Sequence, residues 1–295
     1  MRVLVTGGHG YLGNAVCRAL GDTGHHVTML SRRSGIDVRD RVGVAGAVEA
    51  AQPEAVCHLA ALTRPRDSFA DPLSYFDVNV GGTLNLLLAL DRPVPFVLAS
   101  SSIVYGGQHT GALTEDLPVN PESPYAASKV AAEQLVAAHA ATGAVGGVVL
   151  RCFNIAGAAG GVGDTDTTRI IPNVFRAITG QLPHVTLNGD GSATRDFVHV
   201  EDVAQAVVNA IERATPGEAE TYNIASGVGT SMAGIVAAAE AVTGKKVEIK
   251  RLSPKPEPPH LVADIARARA ELGWEPHRST PDRIVTDAWA AWAAA

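Results

Sequence analysis

Cysteine is scarce in this chain: Cys17, Cys57 and Cys152 are the only three in 295 residues, and none has Cys-x-x-Cys spacing. An odd, unpaired set lying inside apolar runs excludes a disulfide framework and a thiolate metal site, and predicts three buried free thiols. That usage suits a reducing compartment, so the expected location is the cytoplasm. Long apolar runs are absent too. Glycines interrupt the opening "MRVLVTGGHGYLG" after a few positions, and no span of about 18 apolar residues follows, so neither an export signal nor a membrane helix is expected. Positive charge has no surplus: 24 Lys and Arg against 30 Asp and Glu leave a net charge of −6, which argues against nucleic acid as a partner. No His, Cys and Asp cluster has metal-ligand spacing.

What is present is an ordinary globular composition, 46% hydrophobic and 18% charged, long enough for one large α/β domain or a domain with a smaller lobe. Residues 2–6 (RVLVT) read as a short buried strand and 11–23 as a helix with Leu12, Val16, Ala19 and Leu20 at helical spacing. A strand ending at Leu30, a short connection through 35–40, a helix at 41–51 and a strand at 55–60 continue the alternation. A helix over 73–91, an apolar strand at 95–102, a helix over 124–141 and a strand at 146–154 complete about six parallel strands. The expected fold is a Rossmann-type doubly wound parallel sheet over 1–154. A smaller substrate-binding lobe is expected over 155–295, with about 195–212 returning to the sheet as strand and helix. The Pro-rich piece 253–260 reads as an extended loop.

Between the first strand and helix, "TGGHGYLG" places Gly7, Gly10 and Gly13 where a tight turn must bring backbone N–H groups and a helix N-terminus against a pyrophosphate. At the end of the second strand, an acidic residue would bind the adenosine ribose and repel a 2′-phosphate. Ser31 stands there, followed by Arg32 and Arg33, so the local charge leans towards NADP over NAD. In "SPYAASK" (123–129), Tyr125 and Lys129 lie four apart on one helix face. An ammonium in that position is expected to lower the phenol's pKa and make Tyr125 a base for a sugar hydroxyl. A buried strand ending in Ser100, Ser101 and Ser102 precedes this pair.

Together with "HLAA" (58–61), "NVGGTLN" (79–85), "SSSIVYG" (100–106), "RCFNIAGA" (151–158), "DGSATRDFVHVEDVA" (190–204), "YNIASG" (222–227) and "ADIARARAELGW" (263–274), these motifs resemble the extended short-chain dehydrogenase/reductases of the epimerase/dehydratase type. The likeness runs through nearly the whole chain and is greatest to the family's nucleotide-sugar 4-epimerases. It implies Ser101, Tyr125 and Lys129 as the catalytic set, with Tyr125 as base and Lys129 on the nicotinamide ribose. It implies a cofactor site of Gly7, Gly10, Tyr11, Leu12, Gly13, Ser31, Arg32, Arg33, Asp37, Val38, Leu59, Ala60, Ala61 and Asn79, joined by Tyr125 and Lys129. It implies substrate contacts from Ser101, Ser102, Asn154 and Arg195, with Lys255 near the diphosphate, and a homodimer paired through the helices after "FADP" and "SPY".

Two departures stand out. Ser102 and Ile103 replace the Asp-Glu pair that the family's dehydratases resemble one another in having, which argues against dehydration. The late loop offers Lys255 where the 4-epimerases have an arginine, giving charge without a bidentate fork. The expected activity is reversible hydride transfer between C4 of a nucleotide-linked hexose and a bound NAD or NADP. The alternatives are NADPH-dependent reduction of a 4-keto-6-deoxy sugar nucleotide, which the short loop between the second and third strands favours, and a cofactor-binding protein without chemistry. His58 and His199 are expected to be structural, and His25 and His26 solvated. Asp164 and Asp166 are read either as sugar contacts or as part of a polar lid, and Trp274, Trp289 and Trp292 as packing for the last helices.

Overall fold

The structure is a computed structural model that describes residues 1–254 and 258–294. Its centre is a sheet of six parallel strands in the spatial order Ala219–Ile224, Val145–Cys152, Val94–Ser101, Ala55–His58, Arg2–Thr6, His26–Leu30. The alternation of side chains along each strand feeds two separate cores. Val3 and Val5 point to one face, where the helices Tyr11–Asp22 and Val200–Arg213 supply Val16, Leu20, Val203 and Val207. Leu4 points to the other, where Arg41–Ala51, Gly82–Ala89 and Pro124–Ala140 supply Val44, Leu86 and Val136. Because both faces are covered, Ala55–His58 and Val145–Cys152 are buried at every position.

A third cluster forms the smaller C-terminal lobe. Val174 and Phe175 of Ile170–Ile178 pack against Ile235 of Met232–Thr243 and Ile284 of Pro281–Ala293. Trp289 and Trp292 lie 5.2 and 5.8 Å from the Phe175 ring, while Trp274 is fully buried and donates to the Asp202 carbonyl. The three cysteines are buried and free. Among the described residues no helix is long and apolar enough to cross a membrane.

Three expectations need correction. Only five sheet strands lie before Asn154; the connection through 35–40 carries no strand, since Arg32–Ser34 closes a single 3-10 turn and Asp40 already caps the next helix. The sixth strand is Ala219–Ile224, whose last three residues open the "YNIASG" motif. The strand Thr194–His199 does not return to the sheet: it pairs with Asn154–Ala156, Gly229–Ser231 and His260–Leu261 in the smaller lobe. Its following helix, Val200–Arg213, does return, because its apolar face needs the sheet and Tyr11–Asp22 to bury against. The helix expected over 73–91 is a run of Pro72–Phe76, a π-turn at Asp77–Gly81 and Gly82–Ala89.

Candidate active site

Parallel strands all end on one side of the sheet. The chain order reverses between Arg2–Thr6 and Ala55–His58, which opens a crevice beyond their carboxyl ends. A cleft of about 1810 Å³ begins there and runs on between the sheet and the smaller lobe. Its floor demands glycine. Gly7 has φ +71°, and a Cβ on it would lie 2.9 Å from the Ala60 nitrogen; a Cβ on Gly13 would lie 2.1 Å from the Gly7 carbonyl oxygen. The N-terminus of Tyr11–Asp22 faces this floor and has no side-chain cap. Its free N–H groups and the cradle beside them fit the pyrophosphate of a dinucleotide.

The crevice walls are tied behind the cleft. Thr6 Oγ1 accepts from the Leu59 and Ala60 N–H groups at 3.1 Å each and lies 2.7 Å from His58 Nδ1. With both N–H groups accepted, the hydroxyl donates to Nδ1, which leaves Nε2–H for Thr83 at 3.1 Å. Burial holds the His58 pKa down at about 3, in keeping with this neutral, structural role. Asn79 is buried one layer behind the wall: it brackets Leu62 through N–H and C=O and donates to Ser128 at 2.9 Å. It therefore shapes the pocket from behind, while Gly7, Gly10, Tyr11, Leu12, Gly13, Ser31, Arg32, Arg33, Asp37, Val38, Leu59, Ala60 and Ala61 line it.

Ser123 caps the helix Pro124–Ala140, with Pro124 in its first turn, and this sharp start sets Tyr125 and Lys129 against the end of Val94–Ser101. The Ser101 hydroxyl stands beside the Tyr125 phenol and favours its anion, Lys129 Nζ donates to the Ala99 carbonyl at 2.6 Å, and Tyr75 packs edge-on to Tyr125 with centroids 6.1 Å apart. All three candidate catalytic side chains line the cleft. Their electrostatics differ from the sequence expectation. Burial pushes the Tyr125 phenol up to about 12, against a smaller downward pull from Ser101. Burial also lowers Lys129 to about 8. Desolvation of both groups outweighs any depression of the phenol by the ammonium.

At the adenosine end, the Ser31 hydroxyl hydrogen-bonds His9 at 2.8 Å and caps the turn at Ser34. Arg32 and Arg33 are exposed at the mouth. Asp37 stands with them, its carboxyl held down at about 2, first by the hydrogen bond from Arg39 and further by the charge of Arg32. An anion among the arginines offsets the charge lean towards NADP.

Ser102, Asn154 and Arg195 line the other end of the cleft; Arg195 donates to the Thr194 and Pro258 carbonyls at 2.9 Å. Lys255 lies outside the described residues. Two residues that sequence reasoning passed over also line this end. Arg64, after the third strand, pairs with Asp166 at 3.3 Å across the cleft, and Arg169 pairs with Asp164 at 3.1 Å. Asp164 and Asp166 thus have cationic partners in one wall and the other, a pairing that spacing cannot reveal because 102 positions separate Arg64 from Asp166.

Residues 3–225 match the NAD dependent epimerase/dehydratase family. The chain is 32% identical to a UDP-glucose 4-epimerase of Corynebacterium glutamicum, over 98% of this chain and 95% of that protein. Among solved structures, it is similar to a UDP-glucose 4-epimerase from Stenotrophomonas maltophila with bound NAD and formylated UDP-arabinopyranose, with TM-score 0.90, 31% identity and coverage of 100% and 98%. It is likewise similar to the UDP-glucose 4-epimerase of Thermus thermophilus in complex with NAD, with TM-score 0.88, 30% identity and full coverage of both chains.

Gly13→Ala should lower stability by about 1–3 kcal/mol, the usual range for overpacking, because its methyl meets backbone that cannot swing aside. Urea unfolding of the two proteins measures the difference.

Proposed function

The chain belongs to the NAD dependent epimerase/dehydratase family, and from that premise we propose that it is a nucleotide-sugar 4-epimerase working with bound NAD. The observation that carries this reading is the convergence of Ser101, Tyr125 and Lys129 on one end of a cleft whose other end is a glycine-floored dinucleotide cradle. Near-full-length likeness to UDP-glucose 4-epimerases supports the substrate class. NAD rather than NADP is supported by the relatives solved with NAD and by the anionic Asp37 at the adenosine end.

NAD, when bound, would supply a hydride acceptor and donor for one sugar carbon and would add positive charge to the site. Ser101 and Tyr125 hold the oxygen on C4. Tyr125 takes its proton as the carbon is oxidised and returns it after the ketone has turned its other face, so no net redox occurs. Burial, which pushes the phenol up to about 12, makes Tyr125 a poor base until cationic neighbours favour its phenolate. Lys129, as an ammonium lining the cleft, would donate to the nicotinamide ribose. Arg195 and Asn154 suit the diphosphate, a guanidinium and an amide both being donors to phosphate oxygens.

A homodimer is part of the same proposal. Leu73, Phe76, Leu84 and Leu88 recur at helical spacing along 72–89 and are exposed, Leu73 by 79%. Such a stripe on one helical face fits the same helix of a second copy.

Tyr125→Phe should cut turnover by roughly 10²–10⁴-fold, the usual worth of general acid–base catalysis, in an assay of UDP-glucose and UDP-galactose interconversion; near-normal turnover would sink the assignment. Acid denaturation of the purified protein should release NAD identifiable by mass spectrometry, and release of NADP alone would overturn the cofactor reading. Leu73→Asp combined with Leu88→Asp should convert the protein from twice the monomer mass to the monomer mass in light scattering.

A further inference from the structure

Three consecutive residues at the end of Val94–Ser101 are each set against one face of Pro124–Ala140. Ser101 stands beside Tyr125, the Ala99 carbonyl holds the Lys129 ammonium, and the Ser100 hydroxyl donates to the Glu133 carboxylate. Positions 125, 129 and 133 succeed one another at i, i+4 and i+8, so one stripe of the helix carries all three contacts. The first two hold candidate catalytic groups. The third has no part in the chemistry described above, yet Glu133 is only 8% exposed.

Glu133 is locked from a second direction. Arg151, on the adjacent strand Val145–Cys152 and in register with Ser100, donates to it through Nη2 at 2.8 Å and through Nε at 3.2 and 3.3 Å. Arg151 is itself fixed, 4.9 Å above the Tyr105 ring and with Nη1 on the Glu115 carbonyl at 3.4 Å. A buried ion pair contributes little net stability compared with apolar packing, whereas its geometry is specific. Here it joins two neighbouring strands to the helix that carries Tyr125 and Lys129.

Resting on the function proposed above, we infer that Glu133, fixed by Ser100 and Arg151, is the positioning residue that sets the helix Pro124–Ala140 against the strand end and keeps Tyr125 and Lys129 in their working places. Its charge acts as well. Lys129 is faced by Cys152 from Val145–Cys152, by Glu133 from its own helix and by His58 from Ala55–His58, and Tyr125 precedes it by one turn on the same helix face. Burial pushes the Cys152 thiol up to about 12 and holds His58 at about 3, and Tyr125 is also a neutral acid. Among these four, Glu133 is the acidic partner, the carboxylate of the ion pair with Arg151. Without it, the Lys129 pKa falls further below its ordinary value.

Glu133→Gln keeps the side-chain shape and removes the charge. In the purified protein, without sugar, the pH midpoint for acetylation of Lys129 by trace acetic anhydride, read by mass spectrometry, should drop by about one unit, as expected on losing a close opposite charge. The kcat should fall roughly 10-fold to 10²-fold, the scale of a misplaced catalytic group, with KM changed by less than about three-fold. Glu133→Asp restores the charge but shortens the tie, so the midpoint should return while kcat stays low. Ser100→Ala keeps the ion pair and cuts only the tie to the strand; it should lower kcat several-fold with the midpoint unmoved. A folded Glu133→Gln protein with wild-type midpoint and kcat overturns the inference, and if that variant does not fold, wild-type kcat in Ser100→Ala does so. Tyr125→Phe run alongside separates the failures. Activity there removes the proposed function, whereas an inactive Tyr125→Phe beside a fully active Glu133→Gln removes this inference alone.

Discussion

The contact between the last turn of Val94–Ser101 and one stripe of Pro124–Ala140 is what makes the cleft a site. A parallel sheet brings the carboxyl ends of its strands to one edge, but an edge holds only loops unless something rigid closes on it. Here a helix starts sharply at Ser123 and Pro124 and runs back across that edge, so a phenol, an ammonium and a carboxylate meet three successive strand residues. The approach is close because the strand residues are Ala99, Ser100 and Ser101, which add no bulk. Small side chains leave the backbone carbonyl of Ala99 free to act as a ligand for Lys129.

Burial governs the charges at this contact. Removing Tyr125 and Lys129 from water shifts both towards their neutral forms, the phenol upward and the ammonium downward. Spacing alone suggests that the lysine would make the tyrosine more acidic, but that argument ignores the solvent both groups have lost. Under the function and the inference proposed above, Glu133 favours the ammonium of the lysine and the bound cofactor favours the phenolate of the tyrosine. The dinucleotide end relies on a different constraint. Gly7 and Gly13 sit where backbone meets backbone, so the floor of the crevice has no room for even a methyl group.

Much of this was legible in the chain. The βα turn, the Tyr125 and Lys129 pair and the serine-ended strand could be placed from period, spacing and turn chemistry, and the elements they sit on lie within a few residues of the expected ones. The membership of Thr194–His199 was not legible, because an alternating apolar strand fits any sheet with an open edge. Its true partners, Asn154–Ala156, Gly229–Ser231 and His260–Leu261, lie up to 66 positions away. The pairing of Arg64 with Asp166 and the closing of Glu133 on Arg151 are of the same kind. None of these four side chains reads from sequence as half of an ion pair, and only the crossing of two distant segments makes each a partner.

The sequence by itself determined the fold class, the glycine floor of the crevice and which side chains are candidates for the chemistry, since these depend on local rules: which residues permit a tight turn, which recur every four positions, which can carry a proton. Tertiary structure alone decided which strand completes the sheet, which charges face one another across the cleft and how far burial shifts the groups between them. Those are properties of distance and lost solvent, and a linear order of residues carries neither.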